Sequence, residues 1–234
     1  MHVVAELLHE VVAEAAAKDP DRLAVVAPDG TATFAELDRM VGALAAWVAE
    51  RTAPGDRVAV VADNSLAYVA AYHAVPRTGR VLTLVNQRLS AGDQRVQLDL
   101  AEPSLVLGDD AFLGPLVADG LESPTVAFGS PGWVAAVAGD PHAAGALPEP
   151  AAEDPAWLLF TSGSTGAPKG VVHTHRSLLA AARGTIEGRS VRPGGVYLLP
   201  FPMCHVAGYN LLVQHLVGST VVLTAHFRPD EFVA

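Results

Sequence analysis

Cysteine is almost absent. The 234 residues contain one, Cys204, which excludes an intrachain disulfide framework and fits a reducing, cytoplasmic setting. Positive charge is also scarce: 15 Lys and Arg stand against 25 Asp and Glu, a formal net charge of −10. That balance excludes a general nucleic-acid surface, whose affinity comes from many cations meeting phosphates. Any phosphate must therefore be held by a local site. Missing as well is an unbroken apolar run of about eighteen residues, the minimum for a membrane-spanning helix. The opening "MHVVAELLHEVVAEAAAKD" has no basic leading region and sets Glu6, Glu10 and Glu14 inside its apolar pattern. It is expected to form an amphipathic first helix, not a signal peptide. No repeat of solenoid period is visible.

What is abundant is apolar residue, 50% of the chain, enough for a sizeable core. Short Val- and Leu-rich runs alternate with longer amphipathic segments, the pattern of an α/β fold with mostly parallel sheets flanked by helices. Strands are expected over 23–27, 57–62, 80–85, 104–108, 125–128, 156–160, 171–175, 196–200 and 219–225. The clearest helix follows Thr33, where "TFAE" has the capping-box spacing and Phe34, Leu37, Val41, Leu44 and Val48 recur at helical intervals. Ser65 and Ser90 read as further N-caps. The Pro- and Ala-rich stretch 138–155 lacks apolar periodicity and is expected to be a surface connection between a first subregion, 1–137, and a second, 156–234.

The second subregion opens with "AWLLF" and then "TSGSTGAPKG". Glycines at 163, 166 and 170 permit turns barred to other residues and let an anion approach the backbone. Thr161, Ser162, Ser164 and Thr165 add hydroxyl donors, and Lys169 adds a positive charge beside Pro168. The implied cargo is a polyphosphate. An ordinary P-loop is excluded, because the position that should hold its second glycine is Pro168 and Lys169 is followed by Gly170. A nucleophile elbow is excluded too: Ser164 has no glycine two places later, and "GSPG" at 129–132 fails the same test. His173 and His175 are expected on one face of a strand, but no second compact ligand pair accompanies them to form a metal site.

"LLFTSGSTGAPKGVVHTHRSLL" resembles the signature loop of the adenylate-forming ligases, the superfamily of acyl-CoA synthetases, luciferases and peptide-synthetase adenylation domains. "TFAELD", "GDRVAVVADNS", "TGRVLTLVNQRLS" and "LPFPMCHVAG" follow in the family's order, so the resemblance covers essentially the whole chain. "VNQRLS" and the His205-x-x-Gly208 pattern look more like acyl-CoA ligases, including the fatty-acid–CoA ligases, than peptide-synthetase domains. Pro76, Arg80 and Cys204 depart from the family's usual residues.

The resemblance implies ATP, Mg²⁺ and coenzyme A: attack of a carboxylate, a fatty acid in the first reading, on the ATP α-phosphate, then transfer of the acyl group to the CoA thiol. It places Ser162, Gly163, Ser164, Thr165, Gly166 and Lys169 on the nucleotide phosphates, Thr161 as a hydroxyl ligand of Mg²⁺, and Lys169 and His205 as the catalytic pair, His205 near the carboxylate. It also implies that an acid for Mg²⁺, a ribose-binding residue and a lid domain with a second lysine are absent from this chain, so that a second chain is an expected source of them and the 234 residues alone are expected to be inactive. Two other functions are compatible with these residues. One is a noncatalytic nucleotide-binding or interaction remnant, recognised by ATP binding without pyrophosphate exchange. The other is a domain that passes its acyl group to a carrier protein or to oxygen.

Overall fold

The computed structural model describes residues 5–161 and 168–224. Among these residues ten strands form two sheets. The larger has the order β6-β5-β3-β4-β7-β8, from β3 (Arg57–Val61), β4 (Val81–Leu84), β5 (Leu105–Gly108), β6 (Thr125–Ala127), β7 (Pro155–Thr161) and β8 (Lys169–Thr174). All its pairs are parallel except β7–β8, an antiparallel hairpin. The smaller sheet has the order β2-β1-β10-β9, from β1 (Leu23–Ala27), β2 (Gly30–Thr33), β9 (Val196–Leu199) and β10 (Thr220–Leu223), parallel except for β1–β2. Each of the nine strands expected from the sequence is present within one or two residues. The tenth, β2, was not expected; the two-residue turn Pro28–Asp29 before Gly30, whose φ is 151°, closes it onto β1.

The apolar runs of the larger sheet are continuous because both faces are covered. In β3, Val58 and Val60 join the main core while Ala59 and Val61 join a second, smaller one. In β5 the split is Leu105 and Leu107 against Val106. Helices α4 (Ala91–Ala101) and α5 (Asp110–Ala118) close the smaller core through Leu98, Leu113 and Leu116.

The main core lies between the sheets. Helix α3 (Leu66–Arg77) packs against strands of both, which is why Ala67 to Pro76 are buried without a break. Around it stand α1 (Glu10–Lys18), α2 (Phe34–Ala49), α7 (His175–Gly188) and α8 (Asn210–Leu216). The capping box at Thr33 forms as its spacing requires, and Ser65 and Ser90 accept from Tyr68 and Asp93 amides. "GSPG" is explained by capping: Ser130 accepts the Trp133 amide at the start of α6 (Pro131–Val137), with Pro131 at the first helical position. Arg80, an oddity in the sequence, is 5% exposed and donates to the carbonyls of Ala49, Thr52 and Thr78, closing the C-terminal end of α2. The 138–155 stretch holds one 3-10 turn, Ala143–Ala146, and the larger sheet continues across it through the β4–β7 pairing.

Candidate functional site

The parallel strands of the larger sheet end on one edge, where an open α/β sheet collects its ligand-binding loops. At the β7 end, the hairpin register sets Thr161 opposite Lys169, and the Thr161 hydroxyl donates to the Lys169 carbonyl at 3.4 Å. Both residues are exposed. Their pairing fixes where the flanking strands meet the segment between them. Ser162, Gly163, Ser164, Thr165 and Gly166 lie outside the described residues. Gly170 is not a turn residue: it is extended within β8, opposite Phe160, with the space above it filled by Leu158.

Beside this hairpin, the segments after β3, β4, β5 and β9 bring a polar cluster together. Asn64, 3% exposed, accepts the Met203 amide at 2.8 Å and donates to the carbonyls of Phe201 at 2.9 Å and Thr224 at 3.2 Å. Gln87, also buried, donates to Asp63 and accepts from the Cys204 thiol at 3.1 Å. The Asp63 amide donates to Asp109 at 2.8 Å. Burial pushes the Cys204 thiol up to about 12, so it is a protonated packing and donor group at neutral pH and not a nucleophile. Burial also raises the Asp109 pKa; the hydrogen bond from the Asp63 amide opposes this, and the Asp63 and Asp29 charges add to the rise.

His205 follows directly and points into solvent at the start of the 3-10 turn Val206–Tyr209. Partial burial, and then the Arg88 guanidinium, hold its pKa below the ordinary imidazole value. A neutral imidazole beside a cation can accept a proton or a hydrogen bond at neutral pH. The turn closes tightly because residue 208 is glycine: a Cβ there would collide with the Met203 carbonyl.

A family model described as AMP-binding enzyme matches residues 12–234. The chain belongs to the AMP-binding enzyme family. It is 28% identical over 213 residues to a 2-succinylbenzoate–CoA ligase of Bacillus cereus, an alignment covering 90% of this chain and 42% of that protein. Among solved structures it is similar to the N-terminal domain of FACL13 from Mycobacterium tuberculosis, with TM-score 0.84 and 25% identity over 97% of this chain and 59% of that one. It is also similar to VinN, with TM-score 0.85 and 27% identity over 95% and 57% of the two chains. The AMP-binding chain spans about 42% of the length of the curated relatives it matches.

Within this AMP-binding fold the expected site residues that are described fall into two groups, one at the strand-end edge of the larger sheet and one after β9 of the smaller sheet. Thr161 and Lys169 form the first, and His205 belongs to the second. The β7 strand that carries Thr161 is the direct neighbour of β4, whose following turn carries Gln87 and Arg88. His173 and His175 do not share a strand face, which corrects the sequence expectation: β8 ends at Thr174, and His175 opens α7, fully buried, accepting the Leu8 amide at 3.1 Å. Thr174 caps that helix, and capping ends the strand one residue early. Sequence reasoning missed Asn64, Gln87 and Arg88. Their signal was positional, since each polar residue closely follows a Val- or Leu-rich strand.

The donor set suits a magnesium polyphosphate. A threonine oxygen is a hard ligand of the kind Mg²⁺ takes, and the Lys169 ammonium at the same hairpin mouth is a cation for phosphate oxygens. No Asp or Glu carboxylate stands opposite Lys169 in the hairpin to compete with such an anion.

Proposed function

We propose that this chain supplies the phosphate-gripping and carboxylate-orienting part of an AMP-forming acyl-CoA ligase. The carrying observation is the hairpin that sets Lys169 opposite Thr161 at the mouth of a Gly-, Ser- and Thr-rich loop, in a chain of the AMP-binding family. In this reading Lys169, with Ser162, Gly163, Ser164, Thr165 and Gly166, holds the β- and γ-phosphates of ATP. Thr161 contributes a hydroxyl oxygen to Mg²⁺, which neutralises phosphate charge when bound. As the carboxylate attacks the α-phosphate, charge grows on the departing pyrophosphate, and donors fixed in place before the reaction stabilise it.

His205 faces the carboxylate side, and exposed Phe201 and Val206 flank it with apolar surface. That surroundings suits an acid with a hydrocarbon body, and a fatty acid is the proposed substrate. Coenzyme A is the proposed acceptor, supported by curated relatives that are CoA ligases. The setting proposed is cytoplasmic; among the described residues no helix is long and apolar enough to cross a membrane. Because the relatives are more than twice as long, acyl transfer is proposed for the chain acting with the rest of the ligase fold, in a second chain if not in the same one.

Two measurements test this. Calorimetric titration with magnesium ATP should show binding by the 234-residue chain. In the ligase that contains it, Lys169→Ala should cost about 2 to 4 kcal/mol of transition-state stabilisation in carboxylate-dependent pyrophosphate exchange. Undiminished exchange by that variant removes Lys169 from the mechanism.

A further inference from the structure

The segment that carries His205 has little regular structure of its own. Between the end of β9 at Leu199 and the turn at Val206 lie six residues in neither helix nor strand, yet Pro202, Met203 and Cys204 are buried. Such a segment needs partners for its backbone polar groups. The amide of Met203 and the carbonyl of Phe201 find theirs on one side chain, that of Asn64. The same carboxamide donates to Thr224, just past β10 in the smaller sheet, while Asn64 itself lies just past β3 in the larger one. One buried amide therefore joins the ends of both sheets to the His205 segment. An amide suits this task where other side chains do not, because it offers two N–H donors and a carbonyl acceptor within one planar group. A second, weaker tether reaches the same segment from Gln87 to the Cys204 thiol.

We infer that Asn64 is a positioning residue: its carboxamide locks the Phe201–Met203 backbone onto the edge of the larger sheet and thereby fixes where the His205 imidazole stands relative to Arg88. The inference rests on the assignment of His205 to the ligand side under the proposed function, but its geometry stands on hydrogen bonds made far along the chain, 137 and 139 residues from Asn64. It also explains why Asn64 is buried although it is polar and follows a strand end, while the amides at the start of α3 are taken by its neighbour Ser65 and by Asp29.

The test follows His205 by NMR in the 234-residue chain, with its imidazole signal assigned by its loss in His205→Gln. In the unsubstituted protein the midpoint should lie below the ordinary value of 6.5, since burial and Arg88 both disfavour the charged ring. Asn64→Ala releases the segment toward water and away from Arg88, so the midpoint should rise toward 6.5. Amide exchange at Met203 should quicken by about tenfold or more, the worth of one lost buried hydrogen bond. Asn64→Ser, which keeps a small polar group, should give smaller changes of the same sign and carries the test if the alanine variant does not fold. Gly42→Ala, on another element, serves as the control for destabilisation alone and should leave the His205 midpoint in place. An unchanged midpoint in folded Asn64→Ala or Asn64→Ser, or a Met203 amide that exchanges at its original rate, overturns the inference. So does an equal shift in Gly42→Ala. None of these measurements uses nucleotide or carboxylate, so a failure of the proposed ligase function would show in ligand binding and not here.

Discussion

At the scale of single residues, the most consequential groups outside the candidate site are four buried histidines. His73 Nε2 meets His215 Nδ1 at 3.2 Å, His215 Nε2 meets the Ala24 carbonyl at 3.2 Å, and His73 Nδ1 approaches the Leu8 carbonyl at 3.4 Å. Three such links need three protons, and two neutral imidazoles carry two. With the two shorter links made, the Leu8 approach is the one left without a hydrogen. A third proton would complete the chain, but burial opposes the charge and lowers the pKa of His73 to about 3 and of His215 to about 4. Burial likewise lowers His9 to about 3, helped by Arg77, and His175 to about 4. Because the unfolded chain binds these protons near pH 6.5 and the folded chain does not, this stability is complete above 6.5 and is lost as pH falls toward 4. Asp38 and Asp109, whose pKa values burial raises, act in the opposite sense and offset part of the loss. Urea midpoints measured from pH 7.5 to pH 4.5 should fall steadily below about pH 6.5, the ordinary histidine value; a flat profile would mean the histidines are not buried as described.

Among elements, α2 shows how one missing side chain sets a contact. Gly42 lies mid-helix, where glycine is unfavourable by roughly 0.5–1 kcal/mol relative to alanine. A Cβ at this position would collide with the carbonyl of Pro141 in the 138–155 connection. The residue therefore trades helix propensity for close approach of that segment. Gly42→Ala should destabilise the protein by about 1–3 kcal/mol through overpacking, read as a lower melting temperature, whereas a gain in stability would show that the connection moves away at no cost. Ala144 on the 3-10 turn is buried in the main core, which also holds Trp133 of α6 just before the connection, so the connection is anchored midway along its course. The sequence pattern had shown only its lack of periodicity.

For the molecule as a whole, the two sheets end differently. β1 is covered by its hairpin partner β2, but β8 is an edge strand exposed along most of its length, with Val171 40% and Val172 53% accessible although neighbouring strand residues face opposite sides. β9 is the edge of the smaller sheet and shows Val196 and Leu198. Exposed apolar edges are templates for further strand pairing. The isolated chain should therefore associate with rising concentration in sedimentation velocity, and Val172→Lys, which charges the edge, should shift it toward monomer. A monomer at all concentrations would sink this expectation.

The sequence by itself determined nine of the ten described strands and the helices that start after Thr33, Ser65 and Ser90, because apolar runs of strand length, capping residues and the capping box are local signals carried by neighbouring residues. It also marked Thr161 and Lys169, since a Gly- and Ser-rich loop after an apolar strand is written contiguously. The tertiary structure alone decided the rest. The strand order, the hairpin register that sets Thr161 against Lys169, and the burial of α3 between two sheets depend on packing between distant segments. Asn64, Gln87 and Arg88 became part of the His205 neighbourhood only when parallel pairing brought their strand ends to one edge. His175 looked like a strand residue until a cap at Thr174 and a bond from Leu8 placed it inside the core. A polar residue acquires its role from the partner it meets, and in this fold those partners lie more than a hundred residues away in the chain.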